Sequence, residues 1–234
     1  MRALLLPVKD LRNAKQRLVG ILTPEQRFTL AHAMLANTVA AMCGVKRADK
    51  IFVITNYEPA MQFARENDWH ILSEDRQISE SVSVDDASRR IESLGFTAVL
   101  RIPLDLPLIQ SRDIDELLAI ECAAPAMVIV PSRDGTGTNA ILRTPPTLFP
   151  SHFGSASFPK HCAEANAAHA QIHHRRNLRL EVDVDDESDL RALLQHDLNG
   201  THIGEFLANA GIAQKFSATG HNSQHESART ASQP

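Results

Sequence analysis

Short apolar runs alternate with longer amphipathic segments along most of the chain. The runs are four to six residues long and predict buried strands at 3–8, 51–55, 69–72, 98–102, 127–130, 139–142 and 180–184. The amphipathic segments predict helices at 23–43, 59–67, 79–94, from 111, and at 157–169, 187–195 and 203–210. This alternation predicts an α/β fold, a single Rossmann-like three-layer domain whose mixed sheet is mostly parallel.

Local signals predict where several of these helices begin and end. Thr23 is the predicted N-cap of the first helix, with Pro24 at its first position and Gln26 completing a capping box. Gly44 is a suitable stop. Ser111 is the predicted cap of the helix that follows the fourth strand.

The C-terminal segment differs in composition from the rest of the chain. From about Lys215 the sequence is polar and has almost no aliphatic residues, so we expect a disordered tail there. The predicted organisation is therefore one domain over 1–214 and a tail over 215–234.

The composition limits the kinds of molecule that the protein is expected to bind. The formal net charge is −4 and aromatic residues make up 5%, which argues against a nucleic-acid-binding surface. No window approaches the roughly 20 apolar residues of a membrane span, and the N-terminal apolar run is too short for a signal peptide. The three cysteines are far apart, as is typical of reduced thiols. We therefore expect a cytoplasmic protein with small-molecule substrates.

A basic loop follows the first predicted strand. Four cations occur between Lys9 and Arg17, and Lys15 is one of them. Ligands of such sheets bind at the carboxyl ends of the strands, so Lys15 and Arg17 are candidates for holding a triphosphate. The alternative is an ordinary solvated loop. The loop lacks the glycines of a dinucleotide fingerprint or a Walker loop.

Acidic residues follow two other predicted strands. Asp105 lies between Pro103 and Pro107 after the fourth strand, in a position that the prolines hold rigidly. Such a carboxylate is a good Mg²⁺ ligand, and the alternative is a turn in which it accepts backbone hydrogen bonds.

The late run EVDVDD carries the second acidic group. Strand alternation predicts Glu181, Asp183 and Asp185 on one face, where a cation would relieve their repulsion. The alternative is that Asp185 or Asp186 caps the next helix. The two interpretations are compatible if Asp183 binds the metal ion and Asp185 or Asp186 caps the helix.

Two small-residue segments complete the set of candidates. The glycines and hydroxyls of 134–139 suit an anion-binding nest of backbone N–H groups, although an ordinary turn is the commoner case. In the stretch 152–158, Gly154 and two serines open a helix whose free N–H groups suit an anion. Simple capping by Ser155 or Ser157 is the favoured alternative for that stretch alone.

Together these segments resemble one family, the guanylyltransferases that act on 2-phospholactate, phosphoenolpyruvate or 3-phosphoglycerate in coenzyme F-420 biosynthesis. The matching stretches are LPVKDLRNAKQRL, PLDLPLI, GTGTNAIL, FGSASF and EVDVDDESDL. The resemblance runs from about Met1 to Gln195 and implies a nucleotide-diphospho-sugar-transferase-like fold. It also implies transfer of GMP from GTP to a small phosphorylated acid, with release of pyrophosphate.

The resemblance implies roles for individual residues. The implied catalytic residues are Lys15, Asp105 and Asp183. The implied Mg²⁺ ligands are Asp105, Asp183 and Asp185. The implied GTP site is formed by Pro7, Val8, Lys9, Lys15 and Arg17. The implied acceptor site is formed by Thr138 or Asn139 together with Gly154 and Ser157. Where members commonly have an Asn followed by small residues, this chain has Ile78-Ser79-Glu80-Ser81.

Other functions stay open at the level of sequence. Within the same class, the acceptor is alternatively molybdopterin or a sugar phosphate. From another class, a non-catalytic nucleotide-binding regulator is the alternative, against which the intact Asp105 and Asp183 count. The missing glycine fingerprint disfavours a dinucleotide-dependent oxidoreductase. The sequence leaves the oligomeric state open, and a homodimer is one possibility.

Overall fold

One sheet of seven strands organises the chain, for which the computed structural model describes residues 1–74 and 76–216. The strands are β1 (Arg2–Pro7), β2 (Lys50–Ile54), β3 (His70–Leu72), β4 (Ala98–Arg101), β5 (Ala126–Pro131), β6 (Thr138–Thr144) and β7 (Gln171–His174). Their order is β3-β2-β1-β4-β6-β5-β7. Only β6 runs antiparallel to its neighbours in this sheet. The prediction of a mostly parallel mixed sheet is confirmed.

Helices cover both faces of this sheet. They are α1 (Pro24–Cys43), α2 (Glu58–Glu66), α3 (Glu80–Ser93), α4 (Ser111–Leu118), α5 (Ser157–Ala167), α6 (Leu178–Glu181), α7 (Glu187–Leu193) and α8 (His202–Asn209). Successive side chains of β1 point to opposite faces. Leu4 and Leu6 therefore join the core beneath α1, α2 and α4, while Ala3 and Leu5 join the core beneath α3. The three-layer arrangement follows from this alternation.

A separate helical core supports the end of the chain. Residues of α1, α7 and α8 pack together with the segment before α1, and Leu18, Leu30, Leu190 and Ile203 are completely buried in this cluster. Among residues 1–74 and 76–216, no helix is long and apolar enough to cross a membrane.

The strand predicted over 180–184 is wrong. The chain forms the short helix α6 and then an irregular segment without strand pairing. Asn177 caps α6 by accepting hydrogen bonds from the N–H groups of Arg179 and Leu180. Val184 packs in the helical core, so the alternation of apolar residues reflects two different burial sites. Side chains, and not a strand ladder, hold this segment in place.

The sheet position beside β5 belongs to β7, which was not predicted. Its sequence, QIHH, has no apolar run, and none of its four residues is fully buried. Such an edge strand forms because its backbone pairs with β5. The pattern of apolar and polar residues therefore gives little indication of it.

The capping predictions have mixed outcomes. The Thr23 capping box with Gln26 and Pro24 is confirmed. The fourth helix is capped by Gln110, one residue before the predicted Ser111. The Ser111 hydroxyl instead donates to the carbonyl of Ala41 at the end of α1, at 2.7 Å.

The predicted boundary between domain and tail falls inside a helical segment. The backbone is helical over 212–216, and the guanidinium of Arg191 lies 4.1 Å above the ring of Phe216. The structured part therefore reaches at least Phe216. The rest of the predicted tail, 217–234, lies outside the described residues.

A buried arginine ties α3 to the loop after β6. The side chain of Arg143 is 2% exposed and pairs with Asp85 at 3.3 Å. It also donates to Ser88 and to the carbonyl of Phe149. Asp85 in turn accepts hydrogen bonds from the N–H and hydroxyl of Ser151. One carboxylate therefore balances a buried charge and fixes the chain that leads to α5.

We expect Asp85→Ala to lower the free energy of unfolding by about 3 kcal/mol, because it leaves a buried guanidinium without its counter-charge. The neighbouring Asp86 forms exposed pairs with Arg89 and Arg90, so Asp86→Ala should cost only about 0.5 kcal/mol. Urea denaturation of both variants measures the difference. Equal losses would contradict the role assigned to Asp85.

Candidate functional site

Two adjoining cavities open at the carboxyl ends of β1 and β4, the place that the sequence predicts for a ligand. The smaller has a volume of about 420 Å³, and the larger about 670 Å³. Residues lining both are Arg17, Glu80, Pro103, Asp105 and Asp185. The shared wall makes the two cavities halves of one cleft.

The smaller cavity collects most of the predicted GTP residues. Pro7, Lys9, Lys15 and Arg17 line it. Val8 lines neither half of the cleft: its side chain is 1% exposed in the core, and its N–H donates to the carbonyl of Ile54. The carbonyl of Val8 accepts from Gln77, so this residue's backbone is also engaged away from the cleft.

Lys15 joins two carboxylates that are far apart in sequence. Its Nζ lies 3.5 Å from Oδ2 of Asp105 and 3.2 Å from Oδ1 of Asp185, and its side chain is only 11% exposed. Burial favours a lower pKa for Lys15, but the two carboxylates outweigh that effect and raise the pKa. The same charge pairing, together with Arg101, lowers the pKa of Asp105 against the effect of burial.

The backbone around these groups is held by packing and hydrogen bonds. Lys15 itself has a left-handed conformation, with φ at 56°, which is uncommon for a residue with a side chain. Two side chains of α1 fix the loop of Asp105: the Asn37 amide donates to the carbonyl of Pro107, and the Thr38 hydroxyl donates to that of Leu104. The acidic loop is thereby attached to the first helix.

Asp183 lies in the larger cavity among other carboxylates. Burial, followed by the charge of Asp105 and then those of Asp185 and Asp189, raises the pKa of Asp183 to about 6. A cation beside Asp183 would remove the cause of this repulsion.

The carboxylates of the cleft fit a divalent cation. Mg²⁺ commonly takes one or two protein carboxylates and completes its shell with phosphate oxygens and water. Asp105, Asp183 and Asp185 all line the larger cavity. Within 1–74 and 76–216, no three or more His, Cys, Asp or Glu side chains form a group that could hold a metal ion, so the predicted set of three Mg²⁺ ligands is not assembled in this structure.

The predicted acceptor residues meet on the far side of the larger cavity. Thr138, Asn139, Gly154 and Ser157 all line it. The Asn139 amide donates to the carbonyl of Leu180 at 2.9 Å, so this side chain also positions the segment that carries Asp183. Ser157 begins α5, which has no side-chain cap.

The predicted nest in the loop 134–139 is not formed. The N–H of Thr136 donates to Asp134, and the N–H of Gly137 donates to the hydroxyl of Ser132. The N–H of Gly135 donates to the carbonyl of Ser132. Hydrogen bonds from Ser132 and Thr136 lower the pKa of Asp134 to about 2. The backbone donors are used inside the turn, so the ordinary-turn alternative is the correct one.

Glu181 does not share a face with Asp183 and Asp185, contrary to the prediction. Its carboxylate is 3% exposed, pairs with Arg176 and accepts from the N–H of Asn177. The cause is that Glu181 ends a helix, so strand alternation does not apply. Its role is to hold the turn before the acidic segment. Asp186 is the N-cap of α7, which leaves Asp183 and Asp185 to the cleft.

Arg101 is a cleft residue that the sequence reasoning missed. It ends β4, its side chain is 5% exposed, and it pairs with Glu80. Its guanidinium lies 4.1 Å above the ring of Phe153, and one of its nitrogens donates to the carbonyl of Thr138. A cation inside the apolar run AVLRI was the available signal, because a buried arginine at a strand's carboxyl end needs a partner or a ligand.

Comparison with known proteins gives these residues a context. The family model described as "Guanylyl transferase CofC like" matches residues 1–229. The chain belongs to this family. It is accordingly a nucleotidyltransferase, and the family predicted from the sequence motifs is confirmed.

Relatives and solved structures agree with this assignment. A phosphoenolpyruvate guanylyltransferase of Conexibacter woesei is 32% identical over 190 residues, covering 81% of this chain and 85% of that protein. A 2-phospho-L-lactate guanylyltransferase of Methanothermobacter thermautotrophicus is 29% identical, covering 87% of this chain and 88% of that protein.

The fold has solved counterparts. A crystal structure from Desulfovibrio desulfuricans G20, described as a nucleotide-diphospho-sugar transferase, has a TM-score of 0.74 and 13% identity, and it covers 92% of this chain and 97% of that one. At this identity the likeness concerns the fold alone. It confirms the predicted fold type.

We expect Asp183→Asn to stabilise the protein in EDTA at pH 7. The raised pKa means that the native state binds an extra proton between about pH 4 and pH 6, so wild-type stability falls as the pH rises through that window. The asparagine cannot ionise. The substitution should raise the free energy of unfolding by about 1 kcal/mol at pH 7, a value reduced to allow for the partial exposure of Asp183. This gain should shrink towards pH 4.

Thermal unfolding across this pH range measures the effect. Asp186→Ala is the matched control, because it removes the N-cap of α7 and should cost about 1 kcal/mol. If Asp183→Asn is less stable than the wild type at pH 7, the unfavourable effect assigned to the Asp183 charge is wrong.

Proposed function

We propose that this protein transfers GMP from GTP to a small phosphorylated acid and releases pyrophosphate. The acceptor is phosphoenolpyruvate, 2-phospho-L-lactate or 3-phospho-D-glycerate, and the product serves coenzyme F-420 biosynthesis in the cytoplasm. Two relatives named for guanylyl transfer to the first two acids support the reaction class.

One observation carries the proposal: a single cleft joins a basic loop and three carboxylates to a separate set of polar groups. The smaller half brings Lys15 and Lys9 together and suits the triphosphate. The larger half brings Thr138 and Ser157 together and suits an anionic acceptor. Asp105 lines both halves, where the two substrates would meet.

The chemistry needs alignment more than acid–base catalysis. A phosphate monoester has a second pKa near 6 and is largely dianionic at pH 7. Its oxygen forms a bond to the α-phosphorus of GTP while the bond from that phosphorus to the bridging oxygen breaks. The electron pair leaves with pyrophosphate. The protein therefore has to hold two polyanions in line and offset their repulsion.

The residues of the cleft have separate roles in this reaction. Lys15 contributes a buried ammonium, which is free to exchange its carboxylate partners for phosphate oxygens when the nucleotide binds. Arg17 offers a second cation, and its side chain is 76% exposed at the entrance. Asp105, together with Asp183 or Asp185, would hold Mg²⁺. That ion would supply positive charge to the phosphate oxygens.

The acceptor side offers hydrogen-bond donors. Thr138 and Ser157, the first residue of α5, both line the larger cavity and carry hydroxyl groups. The N–H groups at the start of a helix favour an anion. The acceptor acid has a carboxylate and a phosphate a few atoms apart, so several separated donors suit it better than one.

The direct test mixes the protein with GTP, Mg²⁺ and each of the three acids, and measures pyrophosphate release. We expect turnover with at least one acid and none without an acid. Replacing GTP by ATP or CTP tests the nucleobase. Release with molybdopterin or a sugar phosphate, and with none of the three acids, would contradict the proposed acceptor class.

We expect Asp105→Asn to lower kcat by about a hundredfold or more, because an electrostatic contribution at the reacting phosphates is lost. The fold should persist, since the amide has the same shape. The matched control is Glu116→Gln, the same chemical change at an exposed position on α4, which should leave kcat unchanged. Near wild-type kcat for Asp105→Asn at saturating Mg²⁺ would exclude the assigned role.

A further inference from the structure

A buried histidine lies behind the proposed acceptor side and has partners at both ring nitrogens. His161, on α5, is 0% exposed. Its Nε2 accepts a hydrogen bond from the backbone N–H of His152 at 2.9 Å. Its Nδ1 lies 3.0 Å from the hydroxyl oxygen of Thr138.

These contacts fix where the ring carries its proton. A backbone N–H only donates, so Nε2 must present a lone pair. Burial, followed by the nearby charges of Arg143 and Arg101, lowers the pKa of His161 to about 3. The ring is therefore neutral at physiological pH, and its single proton is on Nδ1.

The position of the proton on His161 determines the direction of the hydrogen bond that the Thr138 hydroxyl makes. Nδ1–H donates to the Thr138 hydroxyl oxygen, so the hydroxyl must direct its own hydrogen elsewhere. Within the described part of the chain, this hydroxyl has no second hydrogen-bond partner, and Thr138 lines the larger cavity. The carbonyl of Thr138 is held by Arg101 at 3.2 Å, which restrains the backbone from which the hydroxyl projects.

We infer that His161 is a positioning residue, which holds the Thr138 hydroxyl as a hydrogen-bond donor to an anionic oxygen of the acceptor. This inference rests on the proposed function, because it takes the larger cavity as the acceptor site. It adds a chemical requirement: the acceptor atom opposite Thr138 is a carboxylate or phosphate oxygen.

A purely structural role for His161 makes different predictions. The ring also packs against Phe149 and Phe153, with centroids 6.0 and 5.1 Å away. If packing were its only contribution, its replacement would lower stability without a selective effect on acceptor binding. The test must therefore separate the KM of the acceptor from the KM of GTP and from kcat.

The experiment compares Thr138→Val, His161→Gln, their double mutant and His161→Asn. The asparagine amide sits near the position of Nδ1 and can donate to Thr138, whereas glutamine extends towards the position of Nε2. Steady-state assays use the acid that the wild-type enzyme turns over fastest among the three. Thermal unfolding of each variant reports on the fold.

We expect Thr138→Val and His161→Gln each to raise the KM of the acid about tenfold, with the KM of GTP within about twofold of wild type. The double mutant should also show about a tenfold rise, because the two residues act through one hydrogen bond. His161→Asn should lie closer to wild type than His161→Gln. A rise of about a hundredfold in the double mutant, or a selective rise in the KM of GTP, would overturn the inference.

A measurement on the unmodified protein covers the case in which the histidine variants do not fold. The ¹⁵N–¹H spectrum of the His161 ring at pH 7 should show a protonated Nδ1 and an unprotonated Nε2. A proton on Nε2 would overturn the inference. Failure of the wild type with all three acids would instead reject the proposed function, and the two outcomes are therefore distinguishable.

Discussion

The contact of the Lys15 ammonium with Asp105 and Asp185 is the interaction on which the cleft depends. The two carboxylates belong to segments 80 residues apart and would repel each other without a cation between them. Lys15 reaches them from the loop after β1, through a backbone in the left-handed region. One charge, 11% exposed, thus links three segments that line the cleft.

Further ion pairs attach the irregular parts of the site to the regular core. Asp113, which is completely buried on α4, accepts from Arg179 and Asn177 and so secures α6 below the acidic segment. Asp85 and Arg143 do the same for the chain leading to α5. Such pairs are costly to desolvate and contribute little net stability. Their value here is positional, because they hold loops that have no strand pairing of their own.

The sequence predicts those features that follow from local pattern. The buried strands, the Thr23 capping box and the position of Asp105 at a strand's carboxyl end all have this origin. What it misses depends on contacts between distant segments. β7 forms by pairing with β5. The segment 180–184 has the alternating pattern of a strand, but Leu180 and Val184 are buried in two different cores. Arg101 and His161 act through partners that only the fold brings near. The cation inside the run AVLRI marks Arg101 as unusual, but no local pattern in the sequence indicates the role of His161.

The two halves of the cleft are built from different parts of the sheet. The basic and acidic half rests on β1 and β4, which pair in parallel and whose loops carry the charges. The other half rests on the antiparallel β6 and on α5, which carry hydroxyls and a buried neutral histidine. The two halves are nevertheless connected, because Arg101 of β4 donates to the carbonyl of Thr138 and Asn139 of β6 donates to that of Leu180. Because β6 runs antiparallel to β4, its first residues, Thr138 and Asn139, lie at the carboxyl end of β4. That reversal brings their side chains to the same cleft as the loops that follow β1 and β4.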